Sequence, residues 1–295
     1  MKQIELKALA KINLGLDVLG RREDGYHNVR MVMQSIYLYD EVKLEKTAEP
    51  GITTVSNLSF LPTGDGNIAY KAARLLKEEF QITEGIKITL NKHIPVAAGL
   101  AGGSSNAAAV LFGMNRMFRL GLSQKDLMDR GVRLGADVPY CIMRGTVLAE
   151  GIGEKLSVLP AMPKCTVLIA KPPVSVSTKV VYEALDAKEI TEHPDIDGII
   201  EGLKNNGLKQ VAACMGNVLE DVTIPMHPVI DQIKQEMKSA GALNAMMSGS
   251  GPTVFGLFES RAAAREAQRR IREKSLTRQV YVTSIHSLRR NQDAD

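Results

Sequence analysis

Little in this sequence points to a fold held by covalent or metal staples. Its 295 residues include three cysteines, Cys141, Cys165 and Cys214. They are too few and too scattered for a disulfide framework, and without a C-x-x-C pair a cysteine zinc site is not expected. His93, His193, His227 and His286 lack metal-ligand spacing, so no metal-ligand set is expected from the chain itself. No apolar run approaches the ~20 residues that a membrane span needs. Lys2, Glu5, Lys7 and Lys11 interrupt the N-terminus, so no secretory signal is expected. Lys and Arg number 37 against 33 Asp and Glu, a net charge of +4, too weak an excess to argue for nucleic acid. The basic stretch from Arg261 to Lys274 reads as a solvated helix face. Repeats and low-complexity tracts are also missing. The expectation is a reduced, soluble, cytoplasmic protein with neither a membrane nor a nucleic-acid partner.

What remains is ordinary globular composition, 44% hydrophobic and 24% charged. At roughly 150 residues per domain the length suggests about two domains. The first segment has a period of two. Ile4, Leu6, Ala8, Ala10, Ile12, Leu14, Leu16 and Val18 alternate with Glu5, Lys7, Lys11, Asn13 and Asp17, which predicts a strand with one apolar and one polar face. Asp24-Gly25 is a turn signal. Strands are expected at 29–45, 86–92, 146–149, 166–171, 242–247, 253–258 and 279–285. Helices are expected at 67–80, 104–118, 122–134, 177–186, 197–214, 228–239 and 261–274. Leu159 to Pro163 reads as a linker, giving domains at 1–160 and 161–295. The RRNQDAD tail is expected to fray. The mixture predicts an α+β protein in two halves.

The most informative stretch is the loop Pro95, Val96, Ala97, Ala98, Gly99, Leu100, Ala101, Gly102, Gly103, Ser104 and Ser105. It lies between a strand and a helix. Glycines let backbone approach a ligand closely, and a helix N-terminus offers unpaired N–H groups to phosphate. The serines can cap the helix, hold phosphate oxygens or touch magnesium. The loop has no Gly-Lys-Ser/Thr ending, so it is not a Walker A motif. Ala101 stands where the Rossmann fingerprint needs its second glycine. Alanine there is expected only with a negative φ.

Four weaker signals accompany it. Lys11 and Asn13 leave the same face of the first strand, where a lysine is either solvated or holds a phosphate or alkoxide. Asp137, in Gly135-Ala136-Asp137-Val138-Pro139, is either a turn residue or a carboxylate that takes a proton from a substrate hydroxyl. Tyr26 and His27 can stack on a flat base and hydrogen-bond its edge. Met247 to Thr253 is a second glycine-rich connection, able to bring amides near a phosphate.

Together these motifs resemble the GHMP kinase superfamily. The loop at 95–105 is similar to its phosphate loop, and Ser248-Gly249-Ser250-Gly251-Pro252-Thr253 is similar to its C-terminal glycine motif. Ala10 to Leu14, Asp24 to His27 and Gly135 to Pro139, in that order, resemble the members acting on a cytidine-diphosphate-linked methylerythritol. The resemblance runs from about residue 8 to about residue 258. It implies an α+β fold, with a ribosomal protein S5 domain 2-like N-terminal domain and a ferredoxin-like C-terminal domain. It implies ATP with Mg2+, and transfer of phosphate to the 2-hydroxyl of the methylerythritol part. By the family pattern Asp137 is the base, Lys11 orients it and stabilises the alkoxide, and residues 95–105 hold the ATP phosphates. Asn13, Tyr26 and His27 hold the cytidine or erythritol part, and Asn67-Ile68-Ala69 lies near adenine. The competing readings are a kinase of homoserine, mevalonate or a sugar, and a non-catalytic regulator on the same fold.

Overall fold

The computed structural model describes residues 1–188 and 190–287. The RRNQDAD tail lies outside the described residues. In chain order the first elements are β1 (Gln3–Arg21), β2 (His27–Thr47), β3 (Ile52–Ser56), α1 (Ile68–Glu79), β4 (Gly85–Asn91) and α2 (Gly102–Phe118). They are followed by α3 (Gln124–Val132), α4 (Val138–Met143), β5 (Thr146–Gly151), β6 (Lys155–Val158) and β7 (Thr166–Lys171). Then come α5 (Thr178–Asp186), α6 (Ile196–Lys204), α7 (Leu208–Cys214), β8 (Gly216–Asn217) and α8 (Glu220–Met226). The last are α9 (Val229–Ser239), β9 (Asn244–Met247), β10 (Val254–Phe258), α10 (Arg261–Glu273) and β11 (Gln279–Ser284). None of the described helices is long and apolar enough to cross a membrane.

Contacts divide the chain into two compact units. The first gathers Met1–Ala10, Leu38–Val96 and Ala101–Met143, and the second Lys11–Tyr37, Ala97–Leu100 and Arg144–Asp295. The linker-like stretch from Leu159 to Pro163 is coil inside the second unit.

In the first unit β3 runs parallel to β4, and the end of β2 runs antiparallel to it. Parallel neighbours need a crossover, and α1 supplies it. Asn67 caps α1 by accepting from the Ala69 amide; Ser123 and Asp126 form a capping box on α3. Helix α2 lies flush on the sheet because Gly113 has no side chain. A Cβ there would come within 2.6 Å of Leu44 Cδ1 and 2.9 Å of Leu6 Cδ1. Leu44, Ile86, Ile88 and Leu90 from the strands bury themselves with Leu76, Leu111 and Met114 from the helices.

In the second unit β5 pairs antiparallel with the start of β2 and with β6, and β8 adds parallel to β1 at Gly15 and Leu16. A separate four-stranded sheet has the order β11-β7-β10-β9, antiparallel throughout. Helices α9 and α10 pack on it. With α9 before β9 and α10 before β11, this is the ferredoxin-like arrangement.

The structure corrects the reading of β1. Both faces are buried from Ala8 to Val18, including Lys11, Asn13 and Asp17. The polar face is covered rather than wet. In the first unit Ser105 Oγ donates to the Leu9 carbonyl at 2.7 Å. In the second, a Cβ on Gly15 would meet Ile196 and Ile199 of α6 at 2.6 Å. The helix expected at 197–214 is two helices, α6 and α7, broken where Asn206 takes a φ of +52°. Strands β3, β6 and β8 and helices α4 and α8 had no clear periodic signal; β8 is two residues long.

Candidate active site

In the second unit two loops close on Lys11. Its side chain leaves the buried face of β1 and its Nζ donates to Asn13 Oδ1 at 2.7 Å. Asn13 in turn points its amide at Met31 Sδ, 3.2 Å away. The Lys11 backbone N–H donates to the Leu100 carbonyl at 3.1 Å, fastening the first glycine loop to the strand. Ser248 Oγ donates to the Gly99 carbonyl at 3.0 Å, which fastens the second loop to the first. Gly99 has a φ of +72°, and a Cβ there would lie 2.1 Å from the Ser248 carbonyl oxygen. Only glycine fits that approach. A Cβ on Gly249 would lie 3.5 Å from Lys11 Nζ. A lysine at 5% exposure is no solvated surface charge. Among the described residues its side chain pairs with a neutral amide, that of Asn13.

Asn217 is part of this construction and carried no motif. Its Nδ2 donates at 2.9 Å to the carbonyls of both Met247 and Gly249, while its Oδ1 accepts from the Leu219 amide. One side chain thus sets the curve of the second glycine loop.

In the first unit the loop enters α2. The helix starts at Gly102, two residues earlier than the serines suggest, and its N-cap is Ala101 with no side-chain cap bond. The first-turn amides are therefore left for another acceptor. Ser105 is buried with its hydroxyl committed to Leu9; Ser104 is half-buried, and its hydroxyl has no partner among the described residues. Pro95 and Ala98 are buried, Val96 half-buried and Ala97 exposed. Asn106, one turn in, accepts from Lys92 Nζ at 2.8 Å and donates to Asp40 Oδ2 at 2.9 Å. Lys92 also pairs with Asp40.

The expectation of a negative φ at Ala101 is overturned: φ is +55°, in the left-handed region, and Ala97 has +50°. The chain must turn sharply enough to begin α2 at Gly102, and the left-handed conformation does this at a cost of about 1–2 kcal/mol for an L-residue. Ala101→Gly is expected to raise stability by about 0.5–1 kcal/mol, after the entropy of the freed chain is subtracted. A thermal melt should show a midpoint about 2 °C higher. A lower midpoint would mean that the Ala101 methyl packs well enough to outweigh its backbone strain.

Asp137 sits half-buried just before α4. Its backbone carbonyl accepts from the Cys141 amide at 3.0 Å, so the main chain fixes its place without using the carboxylate. It belongs to the first unit and Lys11 to the second. Asn67 Oδ1 caps α1 and its Nδ2 donates to the Pro62 carbonyl at 2.9 Å.

The β1–β2 hairpin brings Tyr26 and His27 to the second unit. Tyr26 is 60% exposed, and Asp24 accepts from its amide at 3.1 Å. The Arg22 guanidinium, hydrogen-bonded to Asp24, holds that carboxyl below its usual range. His27 is turned inward. Its Nε2 lies 2.6 Å from Asp186 Oδ1, and its ring centroid lies 4.7 Å from that of Tyr182. Tyr182 and Asp186 are both on α5, four residues apart and so on one helix face. An exposed tyrosine next in sequence to a hydrogen-bonding histidine, itself packed on a second aromatic, can take a flat heterocycle. No group of three or more His, Cys, Asp or Glu that could hold a metal ion occurs among the described residues.

Comparison with known proteins gives the geometry a context. The family model of the GHMP kinases N terminal domain matches residues 67–145, and that of the GHMP kinases C terminal matches 192–275. A 4-diphosphocytidyl-2-C-methyl-D-erythritol kinase of Lachnospira eligens is 59% identical over 283 residues, covering 96% of this chain and 98% of that one. One of that name from Lachnoclostridium phytofermentans is 58% identical, covering 90% of this chain and 92% of that one. A crystal structure of 4-(cytidine 5'-diphospho)-2C-methyl-D-erythritol kinase superposes with a TM-score of 0.83 at 31% identity, covering 97% of this chain and 100% of that chain.

Proposed function

The chain belongs to the GHMP kinase family, and from that premise we propose that it transfers the γ-phosphoryl group of ATP to the 2-hydroxyl of 4-diphosphocytidyl-2-C-methyl-D-erythritol. The product is the 2-phosphate of non-mevalonate isoprenoid biosynthesis, made in the cytoplasm. The near-full-length likeness to kinases of that name carries the reading. We keep 1–160 and 161–295 as the two family domains, with the matched models on either side of that boundary.

The residues fit a nucleotide. Helix α2 begins without a side-chain cap, so the amides of its first turn and the loop 95–105 are suited to hold the phosphates. Ser104 offers a hydroxyl to a phosphate oxygen or to Mg2+. Ser104 would help to hold a magnesium ion, which would supply charge neutralisation at the phosphates.

Asp137 takes the proton of the 2-hydroxyl as the substrate oxygen bonds to the γ-phosphorus. The bond from that phosphorus to the bridging oxygen breaks, and ADP leaves. Lys11 stabilises the developing alkoxide with a buried ammonium, where electrostatic attraction is stronger than in water. Asn13 orients Lys11 and, with Tyr26 and His27, the substrate.

ADP release from the purified protein with MgATP tests the proposal. Turnover is expected with the cytidyl substrate and not with mevalonate or homoserine. Turnover with either control instead would keep the kinase and discard the cytidine assignment. A folded protein that binds ATP and turns over none of them would be a regulator.

A further inference from the structure

His27 is held by a partner that the proposed reaction does not use. Asp186 is the last residue of α5. Its Oδ1 lies 2.6 Å from His27 Nε2, and its Oδ2 lies 3.5 Å from the Arg21 guanidinium. The His27 side chain is only 9% exposed, although the next residue toward the hairpin tip is open to solvent. Tyr182, one turn earlier on α5, tilts 39° against the imidazole. The groups facing His27 are thus Asp186 and Tyr182 from α5, with Arg21 of β1 behind the carboxylate.

An ionised carboxylate accepts hydrogen bonds and donates none. The hydrogen of the imidazole must therefore sit on Nε2 to use the 2.6 Å contact. In the neutral ring that leaves a lone pair on Nδ1. An acceptor at that position suits the exocyclic amine of cytosine and opposes the carbonyl that uracil carries in the same place. We propose that Asp186 is a positioning residue that fixes the His27 tautomer, so that Nδ1 reads the cytosine amine and the enzyme prefers a cytidine to a uridine substrate. The inference rests on the cytidine substrate proposed above. Asp186 touches no substrate in this role and acts through His27.

Asp186→Asn keeps the size of the side chain but adds an amide donor, so either ring tautomer can pair with it. Asp186→Ala removes the partner. In both variants the KM for the cytidyl substrate is expected to rise about tenfold, with kcat and the KM for ATP unchanged. Preference over the same substrate carrying uracil is expected to fall about tenfold. Nitrogen-15 NMR of the imidazole supplies a readout apart from activity. It is expected to show the hydrogen on Nε2 in the wild type and a mixture of tautomers in Asp186→Ala.

His27→Ala separates the two ways of failing. If it raises the KM while both Asp186 variants behave as wild type, the positioning role is wrong and the base reading stands. If it leaves the KM for the cytidyl substrate unchanged, the base reading itself fails and takes the inference with it. A uniform loss in kcat and both KM values in the Asp186 variants would mark a structural residue and overturn the proposal.

Discussion

Asp137→Asn is expected to lower kcat by about two to four orders of magnitude, the usual worth of a positioned general base. That is ~2.7–5.5 kcal/mol in the barrier. Asparagine matches aspartate in shape but cannot take the proton of the substrate hydroxyl. The main chain at this position is held independently of the side chain, because the Asp137 carbonyl is bonded to the Cys141 amide at the start of α4. The half-buried carboxylate accepts no hydrogen bond among the described residues. The substitution should therefore leave the fold, the melting midpoint and both KM values near wild type. Single-turnover ADP release measures the chemical step directly.

The lower end of that range is the more informative. Phosphoryl transfer is mainly positioning and charge stabilisation, and the substitution leaves the roles proposed for Lys11 and for the α2 N-terminus untouched. A loss near a hundredfold would mean that charge stabilisation carries most of the rate. A loss near ten-thousandfold would mean that proton removal is well advanced in the transition state. Full activity in a folded Asp137→Asn protein would remove Asp137 from the base role altogether.

Much of the frame was readable from the sequence for physical reasons. The period of two in the first segment marks β1 as a strand, and it rests on a simple rule of burial on one side. That rule failed where burial came from elsewhere. Lys11, Asn13 and Asp17 alternate as a wet face should, yet each is buried, because residues distant in sequence cover the strand. Nothing in the local pattern of β1 encodes the Leu100 carbonyl on Lys11 or the isoleucines of α6 over Gly15. The left-handed Ala101 escaped for a different reason. Residue type gives only a preference in φ, and the tight turn into α2 overrode it.

The site was legible where it has a motif and invisible where it has only a partner. The two glycine loops could be found because close backbone approach demands glycine, as at Gly99 against the Ser248 carbonyl. Asn217, Tyr182 and Asp186 are common residue types at unremarkable positions. Their roles come from what they touch: two carbonyls of the second loop, and the ring of His27. The assignment of Asp137 came from family resemblance. Its carboxylate has no local feature that separates it from a turn aspartate.

Lys92→Met is expected to cost about 3–5 kcal/mol of stability, the usual loss when one member of a buried ion pair is removed. Asp40 is fully buried and Lys92 nearly so. The carboxylate also accepts from the amides of His93 and Ile94, at 2.7 and 2.8 Å, and from Asn106. These dipoles orient the charge but do not neutralise it. Methionine fills most of the lysine volume, so the loss should come from the unpaired charge rather than from a cavity. The double variant Asp40→Asn/Lys92→Met decides between the two. It removes the charge along with its partner, and should recover most of the stability in urea unfolding. If it is no more stable than Lys92→Met alone, packing around the lysine stem was the cause. The pair also joins β2 and the end of β4 to the first turns of α2 through Asn106. A loosened α2 would show as a raised KM for ATP in Lys92→Met, and the double variant should keep part of that defect because Asn106 still lacks its lysine.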